Sequence, residues 1–163
     1  MPTMTTLAEH TFRDAMASFP SGVTVVTTVD SQGVWWGFTA TSFCSVSADP
    51  PLVLVCLSAD ASCHPAFREA KHWAVHVIGE SQTDIALRFA TRGADKFGGA
   101  EVTIGEHGLP LLEGGCVRMT CAAHATYTAG DHTILVGRVE DIRLLEEPPA
   151  VYLRRGFHRM QSS

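Results

Sequence analysis

Eight histidines and five cysteines give this chain most of its residues able to bind metals or act as nucleophiles. Their spacing points to neither role. No His-x-x-x-His with an intervening Glu and no Cys-x-x-Cys occurs. His72 and His76 are four apart in a strand-like run, where such residues lie about 13 Å apart along the backbone. Cys116 and Cys121, five apart, point to opposite faces of a strand. No metal is therefore expected. A nucleophilic hydrolase is equally unsupported: Gly-x-Ser-x-Gly is absent, and Cys63 and His64 are direct neighbours, which rarely meet as nucleophile and base. Cys44 and Cys56 sit among apolar residues as small fillers. Asp49, Asp60, Asp84 and Asp95 fall at turns or helix starts, and no catalytic carboxylate pair is visible.

What remains is the stretch GFTATSFCSVSADPPLVLVCLS, residues 37–58. Thr39, Thr41, Ser42, Ser45 and Ser47 crowd nine positions just before a run of β-formers. Two readings stand. The hydroxyls cap turns in an irregular crossing, or they line a site for a ligand rich in acceptors. A flat heteroaromatic such as isoalloxazine suits the second, because its pyrimidine edge wants backbone N–H and C=O groups. A phosphate tail would want hydroxyls or a helix N-terminus, and Ser62 begins a predicted helix.

The elements that must position these residues follow from periodicity. Thr6 and Glu9 have capping-box spacing. Phe12, Ala15, Met16 and Phe19 recur at helical intervals until Pro20 stops the helix. Residues 22–29 read as a strand, turned by Asp-Ser-Gln-Gly (30–33) into a second at 34–39. Residues 52–58 form a continuous apolar strand. A helix is predicted over 61–71, with Pro65 in its first turn. A strand over 73–79 and a helix over 81–90 follow, the latter with Ile85 and Phe89 on one face. Residues 91–99 are a polar, Gly-rich loop. Two long strands fill 108–147, joined near Gly130 and Asp131. Two short strands about a glycine turn end the chain. Strands outnumber helices without alternating with them, and no Gly-x-Gly-x-x-Gly follows the first strand. The expected class is mainly β, a closed antiparallel barrel with short helical insertions.

Bulk properties narrow the partners. The chain has 163 residues, 45% of them apolar and 18% charged, enough for one domain with a core. A net charge of −5 without any basic block argues against nucleic acid. Mean hydropathy above zero hints at a subunit interface. No signal peptide and no span of about 18 apolar residues is recognisable. Five scattered cysteines suit reduced thiols in a cytoplasm.

Six segments in order carry a resemblance: FPSGVTVVTT (19–28), the stretch at 37–58, DKF (95–97), GLPLLEG (108–114), GDHTILVGRV (130–139) and YLRRGFH (152–158). Together they resemble the short-chain flavin reductase family, the reductase components of two-component flavin-dependent monooxygenases. The resemblance implies an FMN-binding split barrel over residues 9–160 between short tails (1–8 and 161–163), assembled as a homodimer. It also implies hydride transfer from NADH or NADPH to FAD or FMN, with FAD and NADH ahead. The reduced flavin would then pass to a separate oxygenase or halogenase. A split-barrel protein that binds flavin tightly, or without turnover, is the alternative.

Carried over by position, Thr39, Ala40, Thr41 and Ser42 would line the ring, with Ser45, Val46 and Ser47 continuing the wall. Cys56, Leu57 and Ser58 would present backbone groups. Ser62, Cys63 and Lys96 would meet the phosphate, and His132 the nicotinamide. Arg155, Gly156 and Phe157 would shape the same pocket, with Phe157 where the family more usually has Tyr. No residue is expected to act as general acid or base, because the cofactor supplies the difficult chemistry and the protein brings the partners together.

Overall fold

A computed structural model of the chain describes residues 8–161. The capping box expected at Thr6 lies outside these residues. The chain opens with helix α1 (Glu9–Ala17), then strands β1 (Ser21–Gly22), β2 (Thr24–Val29), β3 (Trp35–Ala40), β4 (Cys44–Ala48) and β5 (Pro51–Ser58). Helix α2 (His64–Glu69), strand β6 (His72–Val77) and helix α3 (Thr83–Ala90) follow. The second half holds β7 (Val102–Ile104), β8 (Pro110–Leu112), the long β9 (Val117–Ala129) and β10 (His132–Leu144), then β11 (Val151–Leu153) and β12 (Gly156–His158). No helix among the described residues is long and apolar enough to cross a membrane.

The strand order forces the main sheet to curl. Seven antiparallel strands run β3-β2-β6-β9-β10-β5-β4, so β3 and β4 occupy opposite edges. Laid flat, those edges would be about 29 Å apart at 4.8 Å per strand. Yet Thr41 to Phe43 alone connect β3 to β4, a link that spans at most about 14 Å. The sheet must therefore close on itself, bringing β3 beside the C-terminal end of β5. The antiparallel, mainly β class expected from the sequence is the class observed.

Local chemistry explains several elements. The turn after β2 is held by Asp30, whose Oδ1 accepts from the amides of Gln32 and Val34, both at 2.9 Å. Its Oδ2 accepts from Trp36 Nε1 at 2.8 Å, and this bond leads in holding the carboxyl below its ordinary range. Inside the curl pack Val26, Phe38, Val53, Val55, Leu57, Phe67, Trp73 and Leu135. Trp73 packs close against β10 because Gly137 leaves room: a Cβ there would meet the indole at 2.6 Å. Buried His76 joins three strands, with Nδ1 2.9 Å from the Val25 carbonyl and Nε2 accepting from the Leu112 amide at 3.0 Å.

Two elements differ from the sequence reading. The helix expected over 61–71 is reduced to His64–Glu69. Pro65 stands in its first turn, where a missing N–H costs no helical bond, and Ala70 is already extended toward β6. Ser62 thus precedes the cap of a six-residue helix and heads no helical turn. Ser45, Val46 and Ser47, expected to continue the ligand wall, lie on the edge strand β4, which is bulged between Ser45 and Ser47.

Candidate functional site

The curled sheet does not zip shut where its edges meet, and a cleft of about 400 Å³ occupies the seam. The end of β3 supplies Phe38, Thr39 and Ala40, the connection Thr41 and Ser42, and the end of β5 Cys56, Leu57 and Ser58. The turn before α2 adds Ala61, Ser62 and Cys63, and α3 with its following loop adds Phe89, Ala90, Arg92 and Lys96. His132, the first residue of β10, completes the lining opposite Ser58 in the register.

The hydroxyls have divided roles. Thr39 Oγ1 donates to the Ala86 carbonyl at 2.5 Å and ties β3 to α3. Ser42 Oγ accepts from the Cys56 amide and donates to the Cys56 carbonyl, each at 3.2 Å. Cys56 therefore spends its backbone groups on Ser42. By the alternation of a strand, the Ser58 amide faces the same way, beyond the stitch. Thr41 and Ser62 are exposed on the cleft wall. Thr39 and Ser42 thus hold the crossing together, while Thr41 lies open to the cleft.

The charge in the cleft is cationic although the protein carries −5. Among the lining residues Arg92 and Lys96 are the charged side chains, and no carboxylate is present. Lys96 Nζ donates to the Gly37 carbonyl at 3.4 Å, and Arg92 Nη2 to the Asp60 carbonyl at 3.4 Å. Neither cation is neutralised by an acid in these bonds. His132 Nδ1 lies 2.8 Å from Asp131 Oδ1, and this contact leads in holding the Asp131 carboxyl below its ordinary range. Burial pushes the Cys63 thiol up, against a smaller opposing pull from Lys96, so the thiol faces the cleft un-ionised. A nucleophilic thiolate is not on offer here.

Six residues predicted for the site do not line it. Ser45, Val46 and Ser47 lie on β4, which pairs with Pro51–Leu54, the far half of β5 from the cleft. Arg155, Gly156 and Phe157 lie in or beside the small β1-β11-β12 sheet. Arg155 Nη2 bonds Asp14 at 2.8 Å, and Phe157 packs edge-on against Tyr152 with centroids 5.3 Å apart. Conversely, sequence reasoning left Phe38, Ala61, Phe89, Ala90 and Arg92 out of the site. Phe89 reaches it because Gly37 exposes bare backbone: a Cβ there would lie 2.6 Å from the ring. The helical spacing of Ile85 and Phe89 marked a buried face without naming what it faces.

A second hollow of about 320 Å³ adjoins the cleft and shares Ser62 and Lys96 with it. Trp35, Trp36, Gly37, Asp95 and Phe97 are among its walls, and Trp35 meets Phe97 edge-on at 5.4 Å. Lys96 thus stands between two hollows, one walled by hydroxyls and backbone and one by aromatic rings.

Known proteins share this architecture. A protein named actinorhodin polyketide dimerase from Streptomyces coelicolor is 46% identical over 152 residues, 93% of this chain and 86% of its own. NADH:riboflavin 5'-phosphate oxidoreductase from Streptomyces pristinaespiralis is 41% identical, covering 96% of this chain and 91% of its own. The NADH:FAD oxidoreductase SgcE6 of Streptomyces globisporus, solved with NAD and FAD fragments, superposes with a TM-score of 0.87 at 36% identity, covering 92% and 91%. BorF, the flavin reductase component of a bacterial two-component tryptophan halogenase, gives 0.87 at 33% identity, covering 96% of this chain and all of its own. Residues 16–161 match the family described as flavin reductase like domain. With its seam cleft and this match over nearly all the described residues, the chain belongs to the flavin reductase like family.

Proposed function

We propose that this chain is an NAD(P)H:flavin oxidoreductase that reduces a diffusible flavin and releases it to a separate oxygenase or halogenase. One observation carries the reading: an open, hydroxyl- and amide-lined cleft whose charged side chains are all cations, in a protein of net negative charge. That lining fits a planar heteroaromatic with an anionic tail. Thr39–Ser42, Leu57 and Ser58 would hold the ring, Ser62 and Lys96 the phosphate, and His132 the nicotinamide. When bound, the flavin accepts a hydride from the nicotinamide. The protein's part is to hold the two rings together and keep water out, so the lack of a lining carboxylate costs nothing. Ser45–Ser47 and Arg155–Phe157 are left out of this assignment.

FAD stands ahead of FMN, because the aromatic hollow beyond Lys96 offers space past the first phosphate. NADH stands ahead of NADPH, since the seam offers no pair of arginines for a 2′-phosphate. Arg92 stands alone as an arginine among the lining residues, and Arg88 is bonded to the Gly98 carbonyl. A homodimer is favoured by the unburied apolar side chains of α1, Phe12 and Met16, with Phe19 beyond it and Ile142 and Leu144 on β10. Five free cysteines suit a reducing cytoplasm. A folded unit over 9–160 accords with α1 beginning at Glu9. Steady-state rates with FAD and FMN crossed against NADH and NADPH test the assignment. The highest kcat/KM is expected for FAD with NADH; activity with neither flavin would overturn the function.

A further inference from the structure

At the start of β6, away from the seam, the rings of His72 and His107 lie face to face, centroids 3.5 Å apart and 6° from parallel. Glu140 reaches the same place, and the ligating atoms of all three lie within 4.8 Å of one another. They come from three distant parts of the chain: β6, the turn at Glu106–Gly108, and β10. Two backbone irregularities aim them. His107 holds φ at 59°, in the left-handed region that favours glycine. Glu140 is the extra residue of a β-bulge: Val139 pairs with Cys121 and Asp141 with Thr120, leaving it without an opposite partner. Bulges re-aim side chains in this way. A hollow of about 370 Å³, lined also by Lys71, Asp30 and Leu109, opens beside the histidines.

We propose that His72, His107 and Glu140 form a binding site for one divalent transition-metal ion of the zinc class. Two imidazole nitrogens and a carboxylate oxygen are a known three-ligand set for zinc, with a fourth position left to water. Calcium and magnesium prefer oxygen ligands throughout and fit this set poorly. Imidazole lone pairs lie in the ring plane, so the two stacked rings must turn about their Cβ–Cγ bonds to meet one ion. Glu140 must also give up Arg138, a solvent-exposed partner 3.6 Å away. The neighbouring Lys71 opposes the ion and sets a limit on affinity. The site lies eight residues along β10 from His132, about 26 Å at strand rise, and takes no part in flavin chemistry. Its effect is to tie β6, β10 and the 106–108 turn together.

Residues 72, 107 and 140 are too far apart in sequence for any short ligand spacing to reveal them, which is why no metal was expected.

The test uses full-length, chelator-treated protein titrated with Zn²⁺ by calorimetry and with Co²⁺ by visible absorbance. One equivalent of Zn²⁺ per chain is expected, and a hundredfold excess over Kd should raise the melting temperature by about 5–10 °C. His107→Ala and Glu140→Gln should each weaken binding roughly tenfold or more, while His10→Ala on α1 leaves it unchanged. His107→Gly distinguishes a lost ligand from a damaged fold: its metal-free melting temperature should not fall, yet its response to zinc should vanish. No saturable binding by the wild type, or undiminished binding by both His107→Ala and Glu140→Gln, overturns the site. The proposal does not rest on the flavin assignment, and flavin-dependent NADH oxidation should be the same in these variants.

Discussion

Ser42 Oγ lies 3.2 Å from both the amide nitrogen and the carbonyl oxygen of Cys56, accepting from one and donating to the other. This single hydroxyl joins the short link between the sheet's two edges to the end of β5. Below it, β4 pairs with β5 from Ala48–Pro51 to Cys44–Leu54. Above it, the pairing stops and the cleft begins. Ser42 is the last stitch of the seam and sets where the cleft can open.

Replacing Ser42 by Ala should therefore cost about 1 kcal/mol of stability, the ordinary worth of a neutral hydrogen bond. In steady-state kinetics the variant should raise KM for flavin several-fold while changing kcat less. Ser42→Thr keeps the hydroxyl and should restore most of the loss. An unchanged KM in Ser42→Ala would separate the stitch from the binding site.

Among the described residues Lys96 donates only to a backbone carbonyl, which leaves its charge available to an anion. A charge-assisted contact is worth about 1.5–3 kcal/mol, so Lys96→Met should raise the flavin KM roughly 10–100-fold. The wild-type KM should also rise with ionic strength, and that dependence should flatten in the variant. Equal KM values for wild type and variant at low salt would remove Lys96 from the phosphate contact.

The class of fold was legible from the alternation of β-branched runs and turn signals, because those patterns are local. The cleft was legible in part. Thr39 to Ser42 and Cys56 to Ser58 are continuous with their strands, so the motif that named them also placed them. Ser45, Val46 and Ser47 belong to the same quoted stretch, but β4 runs away from the seam, a consequence of sheet order that no local pattern carries. Phe89 and Arg92 arrive through the packing of α3 against Gly37. The His72–His107–Glu140 cluster depends on a bulge and a left-handed residue, neither of which has a periodic signature.

Gly37 makes that α3 contact possible. Gly37→Ala would put a methyl within 2.6 and 2.8 Å of the Phe89 ring. Overpacking of this kind costs about 1–3 kcal/mol, and moving Phe89 should also lower kcat/KM. Gly22, where an added Cβ has open space within 4 Å, provides a matched control in Gly22→Ala. Chemical denaturation with parallel kinetics checks both, and equal stability of the two variants would contradict the packing.

His76 predicts a pH dependence. Burial pushes its pKa down from the ordinary 6.5 to about 4, and its two bonds fix the neutral ring. The unfolded chain binds the proton more readily, so stability is full above pH 6.5. It falls as pH drops from 6.5 toward 4, by at most roughly 3 kcal/mol at about 1.36 kcal/mol per pH unit. Urea midpoints at pH 8 and pH 5 should differ, with the lower value at pH 5. Equal midpoints would contradict the clamp.

Whether the seam serves a diffusible flavin is decided by NADH oxidation in desalted protein with and without added free flavin. A colourless protein is expected, with negligible NADH consumption until FAD or FMN is added, then saturable turnover that follows flavin concentration. A yellow protein that oxidises NADH at full rate without added flavin, or one that remains inactive at saturating flavin, would contradict it.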